Sequence, residues 1–353
     1  MEITNLQRKC MGMEEMSPSW ERVRVDKECT VFFDNDVICK LIIETDDTYC
    51  EYKMSVRTTD NRTLLCPKTN KGKFQLLTAS NLKKYTPEGT YFSYEKGYVV
   101  IGNISTQRTY YSSKIAGVPP MSWEELEQFL VLWVEETDAE KMLEAYDFAT
   151  ASRKHCKYKE GDFFRYRIDR IHFGYGRILL DVSKRRKQGV KHWNILMGKP
   201  LIVQVYHVIC DKVEVPIEQL ENLQACPSQY IMDNCFYYGD FEIIGNKPII
   251  HECDYPIMYG KSISATEPNL IIFQQGLTYK ELDAENHKLV SDGFRNSAIG
   301  FELNIDKNIL EKCIQAQSNE PYWNRELYFL QQDIRNPKNK DYLDKVLEQF
   351  DET

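Results

Sequence analysis

The densest group of side chains that could do chemistry is His251-Glu252-Cys253-Asp254, which combines a potential base, a thiol and two carboxylates. Such a set could ligate a metal or serve a hydrolase. Adjacent residues of a strand point to opposite faces, so these four cannot converge on one centre without help from elsewhere in the chain. A hydrolase with a site near 251–254 therefore stays open only as an alternative.

Other catalytic and metal-binding patterns are missing from the sequence. The six histidines show no HExxH or comparable ligand spacing, and the 11 cysteines form no CxxC pair. Because their number is odd, the cysteines favour reduced thiols that pack as small hydrophobic side chains over a complete disulfide framework. Gly-x-Ser-x-Gly and a glycine-rich phosphate loop are also absent. We therefore predict no catalytic residue, no metal site, no cofactor and no enzymatic activity.

Charge is unevenly distributed along the 353 residues. Residues 1–150 sum to −6, residues 151–200 to +10 and residues 201–353 to −12, which gives a net charge of −8. The net charge disfavours non-specific binding to nucleic acid or to an anionic membrane. The run Lys184-Arg185-Arg186-Lys187 with Lys191 keeps a second alternative open, a nucleic-acid-binding module that uses segment 184–191 and aromatics such as Trp193. A short basic run is more often a solvated loop.

Aromatic side chains are the feature that indicates a binding function, with 22 tyrosines and 16 phenylalanines. Tyrosine brings a large, rigid contact area with a polar tip and is enriched where proteins bind other proteins. Two of the aromatic clusters are Phe163-Phe164 and Phe236-Tyr237-Tyr238. About half of the aromatic side chains in such clusters are expected to fill a core, so some of the other aromatic side chains should lie at the surface.

The elements that position these aromatics are two stretches punctuated by glycine. Lys157 to Leu180 predicts a hairpin whose strands meet at Gly174-Tyr-Gly176, and Tyr237 to Pro248 predicts a later strand. Five glycines are predicted to shape the turns: Gly161, Gly174, Gly176, Gly239 and Gly245. The side chains that flank these turns should stay accessible, and we predict that five of them contact a partner: Tyr175, Arg177, Tyr237, Tyr238 and Asp240.

The wider pattern predicts an α+β protein of two β-rich domains with mainly antiparallel strands. Residues 1–152 form the first domain, which ends in an amphipathic helix at about 122–151 with Ser122 and Glu125 as a capping box. Residues 153–353 form the second, a curved sheet or partly open barrel with a helical C-terminal segment. The first thirty residues lack an apolar core, and no run is long enough to span a membrane, so a cytoplasmic location is expected.

The order of motifs in the second half resembles the immunity protein 26 family of bacterial polymorphic toxin systems. The motifs are Tyr158-Lys-Glu-Gly-Asp-Phe-Phe164, Gly174-Tyr-Gly-Arg-Ile-Leu179 and Tyr238-Gly-Asp-Phe-Glu-Ile-Ile-Gly245, and the resemblance covers about residues 155–300. Asp240-Phe241-Glu242 departs from the family, where a tryptophan and a less acidic strand are expected. The resemblance implies a cytoplasmic antidote that binds a cognate toxin domain, often a nuclease, without a reaction of its own. No family resemblance is recognised in residues 1–150.

Overall fold

The computed structural model describes residues 2–66, 68–188, 196–211, 215–250, 253–262, 267–291 and 299–351. The chain divides into two compact units, Met1–His155 and Cys156–Thr353. Each unit has its own sheet and its own buried clusters. The predicted α+β class with mainly antiparallel sheets is confirmed.

The first unit is built on a seven-stranded meander in which each strand pairs antiparallel with the next. β-branched and aromatic residues dominate these strands, as expected for a pleated surface buried on at least one face. Their bounds are β1 Glu21–Arg24, β2 Cys29–Asp34, β3 Val37–Glu44, β4 Thr48–Arg57, β5 Glu88–Glu95, β6 Tyr98–Asn103 and β7 Arg108–Ser112.

Four helices of the first unit are described: α1 Asn5–Cys10, α2 Ala79–Leu82, α3 Trp123–Glu135 and α4 Ala139–Thr150. Helices α1, α3 and α4 supply Cys10, Leu126, Trp133 and Phe148 to one buried cluster with the sheet. The predicted capping box is confirmed, since Ser122 Oγ accepts from the Glu125 amide and the Glu125 carboxylate accepts from the Ser122 amide.

The single helix predicted for about 122–151 is wrong, because the structure has two helices there. The first ends at Glu135, and the Thr137 hydroxyl donates to the Trp133 carbonyl at 2.5 Å. The Asp138 carboxylate then accepts from the Lys141 amide at 2.8 Å and caps α4. Aspartate is a favoured N-cap residue, so Asp138 allows a new helix to begin at Ala139. The apolar pattern continues across this break and does not reveal it.

The second unit contains a six-stranded sheet in the order β12-β8-β9-β10-β11-β16. All pairs are antiparallel except β11 with β16. The strands are β8 Asp162–Arg167, β9 Phe173–Asp181, β10 Pro200–Cys210, β11 Gln229–Met232, β12 Glu242–Asn246 and β16 Ile299–Gly300. A separate three-stranded sheet comprises β13 Ile257–Lys261, β14 Leu270–Gln275 and β15 Thr278–Asp283.

Short helices follow the strands of the second unit. They are α5 Val182–Lys187, α6 Ile217–Leu220, α7 Asn234–Tyr237, α8 Lys307–Ala316, α9 Glu320–Trp323, α10 Tyr328–Gln331 and α11 Lys340–Asp351. Helices α8 to α10 contribute Leu310, Trp323 and Leu330 to the main core, whereas α11 packs Phe350 against the three-stranded sheet. None of the helices in the described ranges combines the length and apolar character needed to cross a membrane.

Candidate functional site

The hairpin turn that the sequence placed at Gly174-Tyr-Gly176 lies earlier in the chain. Strand β8 ends at Arg167 and β9 begins at Phe173, so both glycines are within a strand. Gly174 pairs with Tyr166 and Gly176 with Phe164. A Cβ atom at these positions would lie 2.4 and 2.3 Å from the Tyr166 and Phe164 rings. These two glycines therefore admit aromatic rings across the strand and do not form a turn.

Tyr175 and Arg177 are buried, which removes the accessibility on which their predicted contact role rested. Tyr175 is 1% exposed and belongs to a cluster with Phe163. Arg177 lies 4.5 Å over the Phe163 ring and donates to the carbonyls of Lys247 and Pro248 at 2.8 and 3.1 Å. Arg177 thus ties β9 to the segment that follows β12.

The remaining three glycines fall into two groups. Gly161 and Gly239 are in turns and have positive φ angles of 86° and 72°, where glycine is the favoured residue. At Gly161 a Cβ atom would also meet the Lys247 carbonyl at 2.2 Å. Gly245 instead lies in β12, next to an irregularity in its pairing with β8. The turn role predicted for Gly245 is therefore wrong.

Tyr237, Tyr238 and Asp240 lie together on a short helix and the turn that follows it. Helix α7 leaves the end of β11, and the Asp240 and Phe241 amides both donate to the Cys235 carbonyl, which closes the turn. All three predicted contact residues are half-buried. The rings of Tyr237 and Tyr238 meet edge to face at 5.1 Å between centroids.

Three phenylalanine rings pack against one another in the core next to this turn. Phe236 is fully buried and meets Phe164 and Phe241 edge to face at 5.0 and 5.3 Å. Phe164 and Phe241 are parallel at 5.4 Å. The two phenylalanines at the ends of Phe236–Phe241 therefore anchor the turn in the core, and Tyr237 and Tyr238 lie between them.

Polar contacts at Asp233 fix the start of α7. The Tyr158 hydroxyl donates to the Asp233 carboxylate at 2.6 Å, and burial together with this bond raises the pKa of Tyr158, which keeps the proton on the hydroxyl. Lys199 Nζ lies 4.0 Å from the same carboxylate and 5.5 Å from the Tyr237 ring. The lysine thus brings a positive charge to the face of an aromatic side chain.

Two exposed apolar side chains belong to segments whose backbone hydrogen-bonds to Asp233 and Cys235 at the start of α7. Met197 is 81% exposed and precedes Lys199, whose carbonyl accepts from the Asp233 amide. Phe301 is 69% exposed, and its carbonyl accepts a hydrogen bond from the Cys235 thiol at 3.4 Å. We call this region the aromatic turn surface and define it by Met197, Lys199, Tyr237, Tyr238, Asp240 and Phe301. It combines aromatic, apolar and charged side chains on a rigid support, a composition typical of protein-binding surfaces.

The basic run is partly used inside the second unit. Arg185 forms an ion pair with Glu160 at 2.7 Å, and Arg186 donates to the carbonyls of Leu196 and Gly198. Lys184 and Lys187 are exposed. Lys191 and Trp193 lie outside the described residues.

Half of the 251–254 group is described, and His251 and Glu252 lie outside the described residues. Burial raises the pKa of the Cys253 thiol, so this residue lacks the ready thiolate that a nucleophile needs. Asp254 accepts from Arg335 at 3.0 Å, and Arg335 also binds Asp333 and the Ser228 carbonyl. Asp254 therefore accepts, from the surface, a hydrogen bond of the buried Arg335, which is a structural role.

A cleft of about 680 Å³ opens in the first unit. The loop after α1 and helix α4 line it, and Leu143 and Tyr146 at its edge are 59% and 63% exposed. The cleft holds no convergent set of catalytic side chains among its lining residues.

Comparison with known families supports the resemblance noted in the sequence. The model of the family immunity protein 26 matches residues 159–269, about a third of the chain, and this segment includes the hairpin β8–β9, helix α7 and strand β12. Every residue of the aromatic turn surface except Phe301 lies within the match. No curated protein and no solved structure matches the chain.

Proposed function

We propose that this protein is a cytoplasmic immunity protein that binds a cognate toxin domain and blocks it by protein–protein contact, without catalysis. The single observation that carries the proposal is the match of residues 159–269 to the immunity protein 26 family. We further propose that the partner contacts the aromatic turn surface through Tyr237, Tyr238 and Asp240.

The physical character of the aromatic turn surface supports this assignment. Exposed Met197 and Phe301 offer apolar area at its edge, while Phe236 and Phe241 below it reduce the entropy lost when a partner binds. Residues 201–353 carry a net charge of −12, which would speed association with a basic toxin such as a nuclease. No step of this proposal requires a cofactor or a metal.

The proposal is tested by purifying the toxin domain encoded next to this gene and measuring its binding by calorimetry. Double substitution Tyr237→Ala/Tyr238→Ala should weaken binding by about 2–4 kcal/mol, because buried interface tyrosines are typical hot spots. The same variant should fail to restore growth of cells that express the toxin.

Tyr146→Ala is the matched control, since Tyr146 is an exposed tyrosine of the first unit. It should leave affinity and protection unchanged. Unaltered binding of the double variant would place the contact surface elsewhere, whereas no binding of the toxin domain by the wild-type chain would refute the immunity function itself.

A further inference from the structure

Three side chains that are far apart in the sequence converge inside the core of the second unit. They are His207 on β10, Cys226 just before β11 and Cys313 on α8, and one ligand atom from each lies within 4.8 Å of the others. Cys226 and Cys313 are 3% and 0% exposed. No other group of three or more potential ligands meets this criterion in the described part of the chain.

Strand pairing explains why His207 and Cys226 meet. The Cys226 amide donates to the Val205 carbonyl at 2.7 Å, and the His207 amide donates to the Gln224 carbonyl at 2.8 Å. His207 and Cys226 are therefore diagonal neighbours on one face of an antiparallel pair. Helix α8 packs on β10 and brings Cys313 to the same face.

Asn319 determines which nitrogen of His207 is free to act as a ligand. The Asn319 amide nitrogen donates to the Ala225 carbonyl at 2.9 Å, so its oxygen lies toward His207 Nε2 at 2.9 Å and accepts that proton. This arrangement leaves Nδ1 as the unprotonated nitrogen. Nδ1 is buried and has no hydrogen-bond partner. An outer hydrogen bond that selects the tautomer is typical of metal-ligating histidines.

The two sulfur atoms are also in surroundings that suit metal ligation. The sulfur atoms of Cys226 and Cys313 are neighbours, and the backbone of Tyr322 approaches the Cys313 sulfur. The Arg325 guanidinium interacts electrostatically with both cysteines. Arg325 Nη2 is itself buried without a partner.

We infer that His207, Cys226 and Cys313 bind one zinc ion, which joins β10, the segment before β11 and helix α8. Zinc binds thiolate sulfur at about 2.3 Å and imidazole nitrogen at about 2.0 Å in tetrahedral geometry, so ligand atoms within 4.8 Å of one another need to approach by at most about 1 Å. Both thiol protons leave to solvent on binding, and the two thiolates balance the charge of the ion. The fourth position is left for water or another small ligand.

Two alternative states of the cysteines, free packed thiols and a disulfide, fit the geometry less well. Buried thiols packed as apolar groups would leave His207 Nδ1 without any partner, an unfavourable state for a buried nitrogen. A disulfide between Cys226 and Cys313 would leave Nδ1 equally unpaired. Zinc satisfies all three atoms at once.

The test is metal analysis of the full chain purified without chelator and after reconstitution with zinc. We expect about one zinc per chain. Replacement by Co²⁺ should give the visible absorption of a tetrahedral site together with charge-transfer bands from two thiolates. Cys226→Ser, Cys313→Ser and His207→Gln should each lose most of the bound metal. Chelation should lower the unfolding temperature of the wild-type chain, because an ion that binds only the folded state stabilises it.

Cys210→Ser is the matched control, because Cys210 is a half-buried cysteine on the same strand β10 but lies outside the group. It should keep the metal. The inference is overturned by a chain that stays metal-free after reconstitution, by a Cys226–Cys313 disulfide in the native protein, or by equal zinc content in all variants. If the ligand variants do not fold, the wild-type Co²⁺ spectrum decides, since absence of thiolate charge-transfer bands rules out the site.

Discussion

The carboxylate of Asp169, in the second unit, has a pKa well below its ordinary value because of its hydrogen-bond partners. It lies in the β8–β9 turn, where it accepts from Lys307 Nζ and His172 Nδ1 at 2.8 Å and from the Ile171 and His172 amides. Burial opposes ionisation, but these hydrogen bonds outweigh it and lower the pKa of Asp169 to about 2. Asp211 lies 3.4 Å from the other ring nitrogen of His172.

This shift predicts an acid-sensitive contribution to stability. A carboxylate whose folded-state pKa is depressed stabilises the fold above its unfolded pKa of about 3.8 and loses that contribution as pH falls toward about 2. Asp169→Asn should therefore lower the free energy of unfolding at pH 7 by about 1–2 kcal/mol. In urea titrations the gap between wild type and variant should close between about pH 4 and pH 2.

Asp147→Asn serves as the control, because Asp147 is an exposed aspartate on α4. It should change stability by less than about 0.5 kcal/mol at every pH. A gap for Asp169→Asn that stays constant from pH 7 to pH 2 would contradict the electrostatic explanation and assign the loss to packing.

Single residues also show where the sequence was ambiguous. Glycine in a strand-like run is compatible either with a turn or with close approach of another group. At Gly174 and Gly176 the second explanation holds, because the rings of Tyr166 and Phe164 occupy the space above them. Only the strand register distinguishes the two cases, and the register depends on partners that local sequence does not specify.

Helix α1 is joined to the first sheet by a buried ionic network. Glu51 on β4 accepts from Arg8 at 2.7 and 3.0 Å, from Lys40 at 2.5 Å and from the Tyr49 hydroxyl at 3.0 Å. Glu51 is fully buried, and Lys40 is 1% exposed. Burial alone would raise the pKa of Glu51, but the two cations hold it below its ordinary value.

Removal of the central carboxylate should be strongly destabilising. Glu51→Gln leaves Arg8 and Lys40 buried without a counter-charge, and we expect a loss of about 3–5 kcal/mol in the free energy of unfolding measured in urea. The matched control is Glu21→Gln, which removes the exposed ion pair between Glu21 on β1 and Arg62 in the segment after β4. It should change the free energy of unfolding far less than Glu51→Gln does, because solvent screens an exposed ion pair. Equal losses for both variants would show that burial of the network does not matter.

Sequence patterns predicted the β-rich character of both halves, the two strands of the hairpin in Lys157–Leu180 and the capping box of α3, because alternation and capping are local. They did not predict the break at Asp138 or the group formed by His207, Cys226 and Cys313. The break depends on a capping bond that competes with a continuous apolar stripe. The three candidate ligands are brought together by strand pairing and by packing of α8, so their spacing along the chain has no recognisable period.

At the scale of the whole molecule, the proposed partner binding is assigned to the second of the two units. The family match lies entirely in the unit Cys156–Thr353. The aromatic turn surface and the phenylalanines that support it are in the same unit. The first unit has its own seven-stranded sheet and two buried clusters.

Because each unit has its own core, we predict that residues 156–353 fold alone and bind the partner toxin domain as the full chain does. Circular dichroism should show one cooperative unfolding transition for this fragment, and calorimetry should give a Kd within about threefold of the full-length value. Residues 1–155 should also fold, because helices α3 and α4 cover their sheet, but should not bind. If the fragment folds but binds more than about tenfold weaker, the difference of about 1.4 kcal/mol would have to come from contacts made by the first unit. The cleft beside Leu143 and Tyr146 would then be the first place to substitute.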